Sequence, residues 1–292
     1  MTLLEDIYAN PADDTARRVY ADSLGDDPRG EFIAVQLELA ARDPRDPTRV
    51  PLERREADLL RENGARWVEE LGFPERVMAS ATTSPVETLR GPIVTFARGF
   101  PEQLKLDARV PAITGNACAT VRSLVLTSFT GEMLEAFDEA PFPWVRALHL
   151  HACVITPGNP IPFRDQLTTL GFLSTRFELT SIPAVPTVVD LRLEHVDGFV
   201  DIARILEQHW PALAALTIQT VRSDADIARL AWIPAVRNLH SLTITAPAFD
   251  TESVAAFASS AMPRLQRFTL LSYKYGVDYG PLRSRYGARF SR

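Results

Sequence analysis

A short apolar pattern returns seven times along this chain and limits what the chain can fold into. Each copy reads apolar-x-x-apolar-x-apolar, and the copies begin at Val121, Val145, Leu167, Val188, Leu213, Leu239 and Leu265. Alternate residues of a strand face opposite sides, so the last two apolar positions of each copy point the same way. One such strand cannot bury its apolar face alone. Stacked copies bury a shared core beneath a parallel sheet.

The segments between the copies carry helical patterns. Residues 196–210, 223–233 and 250–262 have apolar side chains three and four positions apart. Asp224 and Asp250 lie at the start of two of these segments as candidate N-caps. The predicted repeating unit is therefore a strand, a turn, a helix and a return.

The pattern and its period resemble the leucine-rich repeat. Successive copies are 24, 22, 21, 25, 26 and 26 residues apart, within the period of about 20–29 residues of such repeats. The resemblance implies an α/β fold, a curved solenoid with a parallel concave sheet and a helical convex side. The usual repeat ends in Asn, whose side chain satisfies backbone groups at the turn. None of the copies here has Asn at that position, so we expect the turns to differ from copy to copy.

The N-terminal part reads as short helices. Caps and apolar spacing predict helices over 3–9, 13–25 and 27–41, followed by two helices that meet near Gly64. Within this part, residues 13–40 resemble the bacterial repeat-companion domain, a helical module that precedes leucine-rich-repeat-like proteins of myxobacteria and planctomycetes. The matching positions are Arg18, Val19, Tyr20, Ala21, Asp22, Leu24, Asp27, Pro28, Arg29, Gly30, Glu31, Phe32, Ile33 and Gln36.

The resemblance to the repeat-companion domain departs from the family pattern at Ser23, where the family usually has Trp. It implies architecture and little chemistry. We expect a helical domain over residues 1–78 that caps a repeat domain over residues 79–292.

Many charged residues cluster in the helical domain, and they have two interpretations. One is a catalytic or binding cluster made of Arg17, Arg18, Asp22, Asp26, Asp27, Arg29 and Glu31. The other is structural, because acidic residues at helix starts complement the helix dipole. We favour the structural interpretation, with Arg29 joining two helices through Asp22.

Composition narrows the classes of function. A net charge of −6 argues against a nucleic-acid partner, since phosphate contacts need a clustered basic face. Cys118 and Cys153 are too few for a disulfide framework and fit a reducing compartment. The N-terminus has no signal-peptide pattern, and no apolar run is long enough for a membrane span. We expect a cytoplasmic protein without membrane contact.

Enzyme signatures are absent from the sequence. It contains no Gly-x-Ser-x-Gly, no phosphate loop, no His-Glu-x-x-His and no Gly-x-Gly-x-x-Gly. This favours a protein that is not an enzyme and that uses no cofactor.

The residues between the buried strand positions are predicted to face the concave surface. The candidate partner-binding residues there are Asp190, Arg192, Glu194, His149, His151 and Gln219. Charges mixed with short hydroxyls and scattered apolar side chains suit a protein partner better than a phosphate backbone. The alternative interpretation of the charges on 190–194 is a solvated ion pair within one strand.

His149, His151 and Cys153 also admit a metal interpretation. In a regular strand these residues point the same way, and imidazole with thiolate suits Zn²⁺. The competing interpretation is a buried cysteine at the turn beside two exposed histidines. We adopt the second interpretation and predict no metal site.

These expectations favour a non-catalytic scaffold that binds a protein partner on the concave sheet. Two alternatives stay open. A regulatory or immunity-type inhibitor of an enzyme would have the same architecture and differ only in its partner. An enzyme or small-ligand binder would have its site at the junction of the two domains. The basic segment 275–292 either closes the end of the repeats or trails as a tail.

Overall fold

The computed structural model describes residues 2–74, 77–81, 91–109, 118–137, 142–155, 161–177, 185–195, 199–219, 227–247, 249–272 and 276–292. The protein is an α/β protein in which an N-terminal helical region precedes a largely parallel sheet interleaved with helices. The chain divides into two compact units. The first consists of Met1–Val125 and Glu139–Val145, and the second of Leu126–Asp138 and Arg146–Arg292. No helix in the described part of the chain is long and apolar enough to cross a membrane.

The first unit opens with four helices in its described residues: α1 (Leu3–Ala9), α2 (Asp14–Ser23), α3 (Pro28–Ala41) and α4 (Arg49–Glu70). The Asp13 carboxylate accepts from the first turn of α2, and the Asp27 carboxylate does the same for α3. Gly25, with a φ of 58°, follows α2 in the left-handed conformation. The first three predicted helices are confirmed.

The predicted break near Gly64 is wrong, because α4 passes through Gly64 as one helix. Gly64 is buried, and a Cβ atom there would lie 2.8 Å from the Cβ of Ala79. Ala79 belongs to strand β1 (Met78–Ala81), which packs against the helix. The glycine therefore allows a strand to approach the helix closely and does not end it.

Two further strands complete the core of the first unit. Strand β2 (Ile93–Ala97) pairs in parallel with β1 and antiparallel with β3 (Phe100–Asp107). The rings of Trp67 and Phe96 lie 4.8 Å and 6.0 Å from the ring of Phe32, and all three are buried. Each buried aromatic side chain removes about 150–250 Å² from water, so the three rings are a large part of this core.

Two arginines of the charged cluster, Arg17 and Arg29, have structural contacts, although not all of those expected. Arg17 is fully buried, and its guanidinium donates to carbonyls of residues 11, 97 and 98 and to Glu102. This ties α2 to the β2–β3 hairpin. The expected link from Arg29 to Asp22 is wrong. The Arg29 guanidinium instead lies 5.0 Å from the ring centroid of Trp67, and Asp22 is exposed.

Each copy of the apolar pattern forms one strand. These strands are β4 (Ser123–Thr127), β5 (Ala147–His151), β7 (Thr169–Leu173), β9 (Asp190–Glu194), β10 (Ala215–Gln219), β11 (Ser241–Ala246) and β12 (Arg267–Ser272). The remaining described elements are α5 (Gly131–Glu135), β6 (Val154–Ile155), β8 (Arg176–Phe177), α6 (Phe199–Glu207), α7 (Ile227–Leu230), α8 (Pro234–Arg237), α9 (Thr251–Ser259), α10 (Gly280–Tyr286), a 3₁₀ helix (Gly287–Arg289) and β13 (Phe290–Ser291).

The strands follow one another in sequence order. Among the described residues, the sheet has the order β1-β2-β3-β4-β5-β7-β9-β10-β11-β12-β13, and β6 pairs with β8 separately. Strands β5, β7, β9, β10, β11 and β12 are parallel, with their second and third apolar positions in register. All three apolar positions of every copy are buried, with Leu213 the most accessible at 6%. The predicted core is confirmed.

The turns after four of these strands are regular, so the expectation that they differ is wrong there. Ser128, Ala152, Ser174 and His195 each adopt a left-handed conformation, with φ between 48° and 63°. Their N–H groups donate to carbonyl oxygens at the ends of the adjacent strands over 2.7–2.9 Å. A backbone ladder therefore continues past the strand ends.

Two side chains at these turns take the place of the missing Asn. The Thr175 hydroxyl donates to the Leu150 carbonyl over 2.7 Å, and the Cys153 thiol lies 3.4 Å from the Leu126 carbonyl. In both cases the acceptor is the third apolar residue of the preceding copy. A hydroxyl or a thiol is sufficient to satisfy a buried carbonyl at this position.

The helical segments and the C-terminus complete the second unit. Helices α6, α7 and α9 lie in the segments predicted to be helical, and the Asp250 carboxylate accepts from Ser253 N over 2.7 Å at the start of α9. The predicted cap Asp224 lies outside the described residues. Strand β13 pairs with β12, and the Phe290 ring packs on Phe268. The C-terminal segment thus closes the sheet and does not trail as a tail.

Candidate functional site

The candidate site is the solvent-facing side of β5, β7, β9 and β10 in the second unit. We call this surface the exposed face; the opposite side of these strands carries the buried apolar positions. The register aligns side chains into rows that cross the strands. One row runs through His149, Gly171, Arg192 and Thr217, and the next through His151, Leu173, Glu194 and Gln219.

The structure brings the predicted residues onto neighbouring strands. His149 and His151 lie on β5, Gln219 lies on β10, and the three charged residues lie on β9 between them. Strands in a sheet are about 4.8 Å apart, so β5 and β9, separated by β7, lie within about 10 Å. The predicted set is therefore one contiguous patch.

Arg192 and Asp190 form an ion pair within β9. The Nε and Nη2 atoms of Arg192 lie 3.2 Å and 3.1 Å from one carboxylate oxygen of Asp190. The side chains are 45% and 27% exposed. An exposed pair of this kind stabilises a fold by about 0–1 kcal/mol. Arg192 keeps further N–H donors for which the described residues provide no acceptor.

His149 lies directly over the neighbouring strand. A Cβ atom at Gly171 would be 2.3 Å from Nδ1 of His149, so the imidazole occupies the space where a side chain would stand. Only glycine at this position leaves room for the ring. Gly171 was not among the predicted site residues. A glycine at the exposed centre of a strand is the sequence signal that identifies it.

The surroundings of His149 hold its imidazole neutral. Burial, together with the electrostatic effects of Arg192 and His151, lowers the pKa of His149 to about 4 against the opposing effect of Asp190. At neutral pH the ring therefore offers one N–H donor and one nitrogen acceptor. It lies in the same row as the Arg192 guanidinium.

A second pair lies at the edge of the patch, where the strands end. Nε2 of Gln219 and Nε2 of His195 are 3.2 Å apart. His195 follows Glu194 directly and has a φ of 53°, one of the left-handed turn residues. The sequence did not identify His195, because a regular strand would direct it away from the exposed face. The turn conformation is what brings it to Gln219.

The expectation that residues 149, 151 and 153 point the same way is wrong. The left-handed conformation of Ala152, with a φ of 48°, interrupts the alternation after β5. Cys153 is fully buried with its thiol at backbone carbonyls, and burial raises its pKa to about 11. Within the described residues, no group of three or more His, Cys, Asp or Glu side chains is placed to hold a metal ion. Cys153 is therefore buried at the turn as the second interpretation expected, whereas His149 and His151 are half-buried and not exposed.

Two other histidines share an open groove elsewhere in the second unit. His209 and His240 both line a groove of about 630 Å³, together with Glu207 and Trp210. The Trp210 indole donates to the Ile205 carbonyl over 2.6 Å, so it holds the wall of the groove. The groove lies apart from the exposed face, because its lining residues belong to α6, to α8 and to the segments that precede β10, β11 and β12.

Short hydroxyl side chains extend the first row beyond Arg192. Thr217, Thr243 and Thr269 follow one another in register across β10, β11 and β12. Leu271 on β12 is 45% exposed and adds an apolar position.

No protein-family model, curated protein or solved structure matches the chain. The chemistry of the face therefore follows from its own side chains: a guanidinium, carboxylates, imidazoles and hydroxyls aligned across the sheet.

Proposed function

We propose that the protein is a non-catalytic scaffold that binds a protein partner on the exposed face. The observation that carries the proposal is the register of polar side chains across successive strands above a fully buried core. A partner surface meets these side chains as a fixed array. Preorganised side chains lose little conformational entropy on binding, which leaves more of the contact energy for affinity.

The proposal includes a finer description of the fold, a leucine-rich-repeat-like solenoid whose exposed face is concave. Three features support it: the period of the copies, the strand order that follows the sequence, and the turn ladder between adjacent copies. Concave sheets of stacked repeats are the usual binding surface of such proteins. The N-terminal helices fit the proposed repeat-companion module. Its role as a cap and its boundary near residue 78 stay predictions.

The proposed recognition is electrostatic and hydrogen-bonded at its centre. Arg192 offers free guanidinium donors, Glu194 a carboxylate, and His149 a neutral imidazole in one small patch. Such groups set specificity and orientation for a protein partner with complementary charges. Threonine hydroxyls and Leu271 extend the contact surface along the sheet. We place this scaffold in the bacterial cytoplasm, where free cysteines such as Cys118 and Cys153 stay reduced.

The test is affinity capture with a charge exchange on β9. The tagged protein and its Arg192→Glu/Glu194→Arg variant are incubated with native lysate, and the bound proteins are identified by mass spectrometry. The exchange keeps the net charge and removes an exposed ion pair, so the fold is retained. We expect one abundant partner that the variant captures at least about tenfold less, the loss expected when a buried charged contact is reversed.

A matched control distinguishes the loss of a contact on the exposed face from a general effect of exchanging charges. The Asp58→Arg/Arg61→Glu variant exchanges another exposed ion pair, on α4 in the first unit. It should capture the partner as the unmodified protein does. Equal loss in both variants, or unchanged capture by the β9 variant, would refute the proposal. The identity of the captured partner then separates a scaffold from an inhibitor of an enzyme.

A further inference from the structure

Two adjoining grooves run along the edge of the second unit where strands β10, β11 and β12 begin. The first is the groove of about 630 Å³ that holds His209. The second has a volume of about 580 Å³ and is lined by residues 263–266 and Arg289. His240 and Arg264 line both of them, so the two form one continuous groove. We call it the edge groove.

Backbone hydrogen bonds set the length of the edge groove. The His240 N–H donates to the Ala214 carbonyl over 2.8 Å, and the Gln266 N–H donates to the His240 carbonyl over 2.8 Å. These bonds continue the pairing of β10, β11 and β12 by one residue before the strands begin. Arg289 directly precedes β13, the next strand in the sheet. Three strand spacings give a length of about 14 Å, which suits about four residues of an extended chain.

Small side chains create the depth of the edge groove. Ala212, Ala214 and Ala235 line it between the end of α6 and the start of β11. Alanine leaves the backbone accessible, so an extended chain can lie close to the edge of the sheet.

The half of the edge groove nearest β12 and β13 is positively charged. The Nη1 atom of Arg289 donates to the Leu265 carbonyl over 3.0 Å, which holds its guanidinium beside Arg264. Arg264 is exposed, and the described residues offer its guanidinium no acceptor. Among the described residues that line the groove, Glu207 is the one acid, and it lies at the other end on α6. A chain with a net charge of −6 therefore carries a local positive region here.

We propose that the edge groove binds an extended acidic peptide segment, with carboxylates held by Arg264 and Arg289. Alternate residues of an extended chain point the same way and are roughly 7 Å apart, so two carboxylates can face the groove together. Each guanidinium forms charge-assisted hydrogen bonds with a carboxylate. The His240 imidazole adds one N–H donor between the two ends, and the Glu207 carboxylate accepts from a peptide N–H.

The lining favours a peptide over a nucleic acid. The Glu207 carboxylate repels a chain of phosphates, whereas a peptide backbone supplies N–H donors to it. Single-stranded nucleic acids also need aromatic faces on which bases stack. Trp210 lines the edge groove but is only 6% exposed, and its indole is held at the Ile205 carbonyl.

The edge groove is independent of the proposed scaffold function. None of its lining residues belongs to the exposed face, so loss of binding at either surface leaves the other unchanged.

The test is fluorescence anisotropy of labelled probes titrated with the full chain at physiological ionic strength. The first probe is a peptide of about eight residues in which Glu and Gly alternate, and the second has Gln in place of each Glu. We expect saturable binding of the acidic peptide with a dissociation constant below about 1 mM, and binding of the neutral peptide at least about tenfold weaker. No saturable binding of the acidic peptide, or equal binding of both peptides, overturns the proposal. A labelled oligothymidylate of similar length that binds more tightly than the acidic peptide overturns it in favour of a nucleic acid.

Substitutions locate the binding in the edge groove. Arg264→Gln should weaken binding of the acidic peptide by about fivefold, and Arg264→Gln/Arg289→Gln by at least about tenfold. Arg264 is exposed, so the single variant keeps the test decisive if the double variant does not fold.

The matched control is Arg176→Gln, which removes an exposed arginine of the same unit. Arg176 lies on β8, beyond the C-terminal end of β7, whereas the edge groove lies where the strands begin. This variant should bind the acidic peptide as the unmodified chain does. Equal loss in the Arg176 and Arg264 variants, or unchanged binding in both groove variants, overturns the proposal.

Discussion

Replacing His149 with Gln should make the protein less sensitive to acid. The imidazole lies over Gly171 beside Arg192, and its pKa is lowered to about 4 from an ordinary value of 6.5. The folded state therefore favours the neutral imidazole of His149 over the protonated one. As pH falls below 6.5 the unfolded chain takes up a proton here while the folded chain does not. Stability is lost through this window and the loss levels off below about pH 4.

The size of the effect follows from the two pKa values. At pH 5 the linkage contribution is about 2 kcal/mol, and solvent screening of a half-buried ring reduces it to about 1–2 kcal/mol. The measurement is the free energy of unfolding in urea at pH 7.5 and pH 5. The unmodified protein should lose about 1–2 kcal/mol more between these pH values than His149→Gln does.

The control for this prediction is Thr217→Ala. Thr217 lies in the same row of the exposed face as His149 and carries no titrating group. Its variant should keep the full acid sensitivity of the unmodified protein. The reasoning is refuted if His149→Gln and the unmodified protein lose the same free energy between the two pH values.

Two further predictions concern the fold. Thr175→Val leaves the buried Leu150 carbonyl without its donor and should cost about 1–3 kcal/mol in urea unfolding, whereas Thr175→Ser should cost less than half as much. Gly99 has a φ of 83°, and a Cβ there would lie 2.1 Å from Cγ1 of Ile33, so Gly99→Ala should cost about 3 kcal/mol. Gly72→Ala, with a φ of 80° and open space, should cost about 1 kcal/mol; equal losses at the two glycines would contradict this account.

The period of the apolar pattern was sufficient to predict the repeated strands and their buried positions. Burial depends on alternation within each strand and on stacking between successive copies, and both can be recognised from residues close to one another in the sequence. Helix starts at Asp13, Asp27 and Asp250 were predictable for the same reason, since a cap depends on its own few residues.

Features that depend on distant neighbours were not predictable. The sequence suggested that Gly64 ends a helix, but the glycine is required by strand β1, which packs against it. The side-chain direction of Cys153 depends on the left-handed conformation of Ala152, which an alanine does not signal. Gly171 makes room for His149 only because the register of β5 and β7 sets the two residues side by side.

The candidate site also contains both features that local sequence predicts and features that depend on distant neighbours. Asp190, Arg192 and Glu194 were identified because alternation alone places them opposite the core. Their relation to His149 and Gln219 required the order and register of the strands. The contact of His195 with Gln219 was not predictable either, because it depends on the left-handed conformation of His195.

The central claim, a partner on the exposed face, is tested most directly by site-specific photocrosslinking. A photoreactive benzoylphenylalanine replaces Thr243 on β11, in the row of Arg192, or Ala255 on α9, which is exposed away from the sheet. Both proteins are irradiated in native lysate, and the crosslinked products are identified by mass spectrometry. We expect the Thr243 position to crosslink to the captured partner and the Ala255 position to give no such product. Crosslinking of the partner from Ala255 with none from Thr243 would contradict binding on the exposed face.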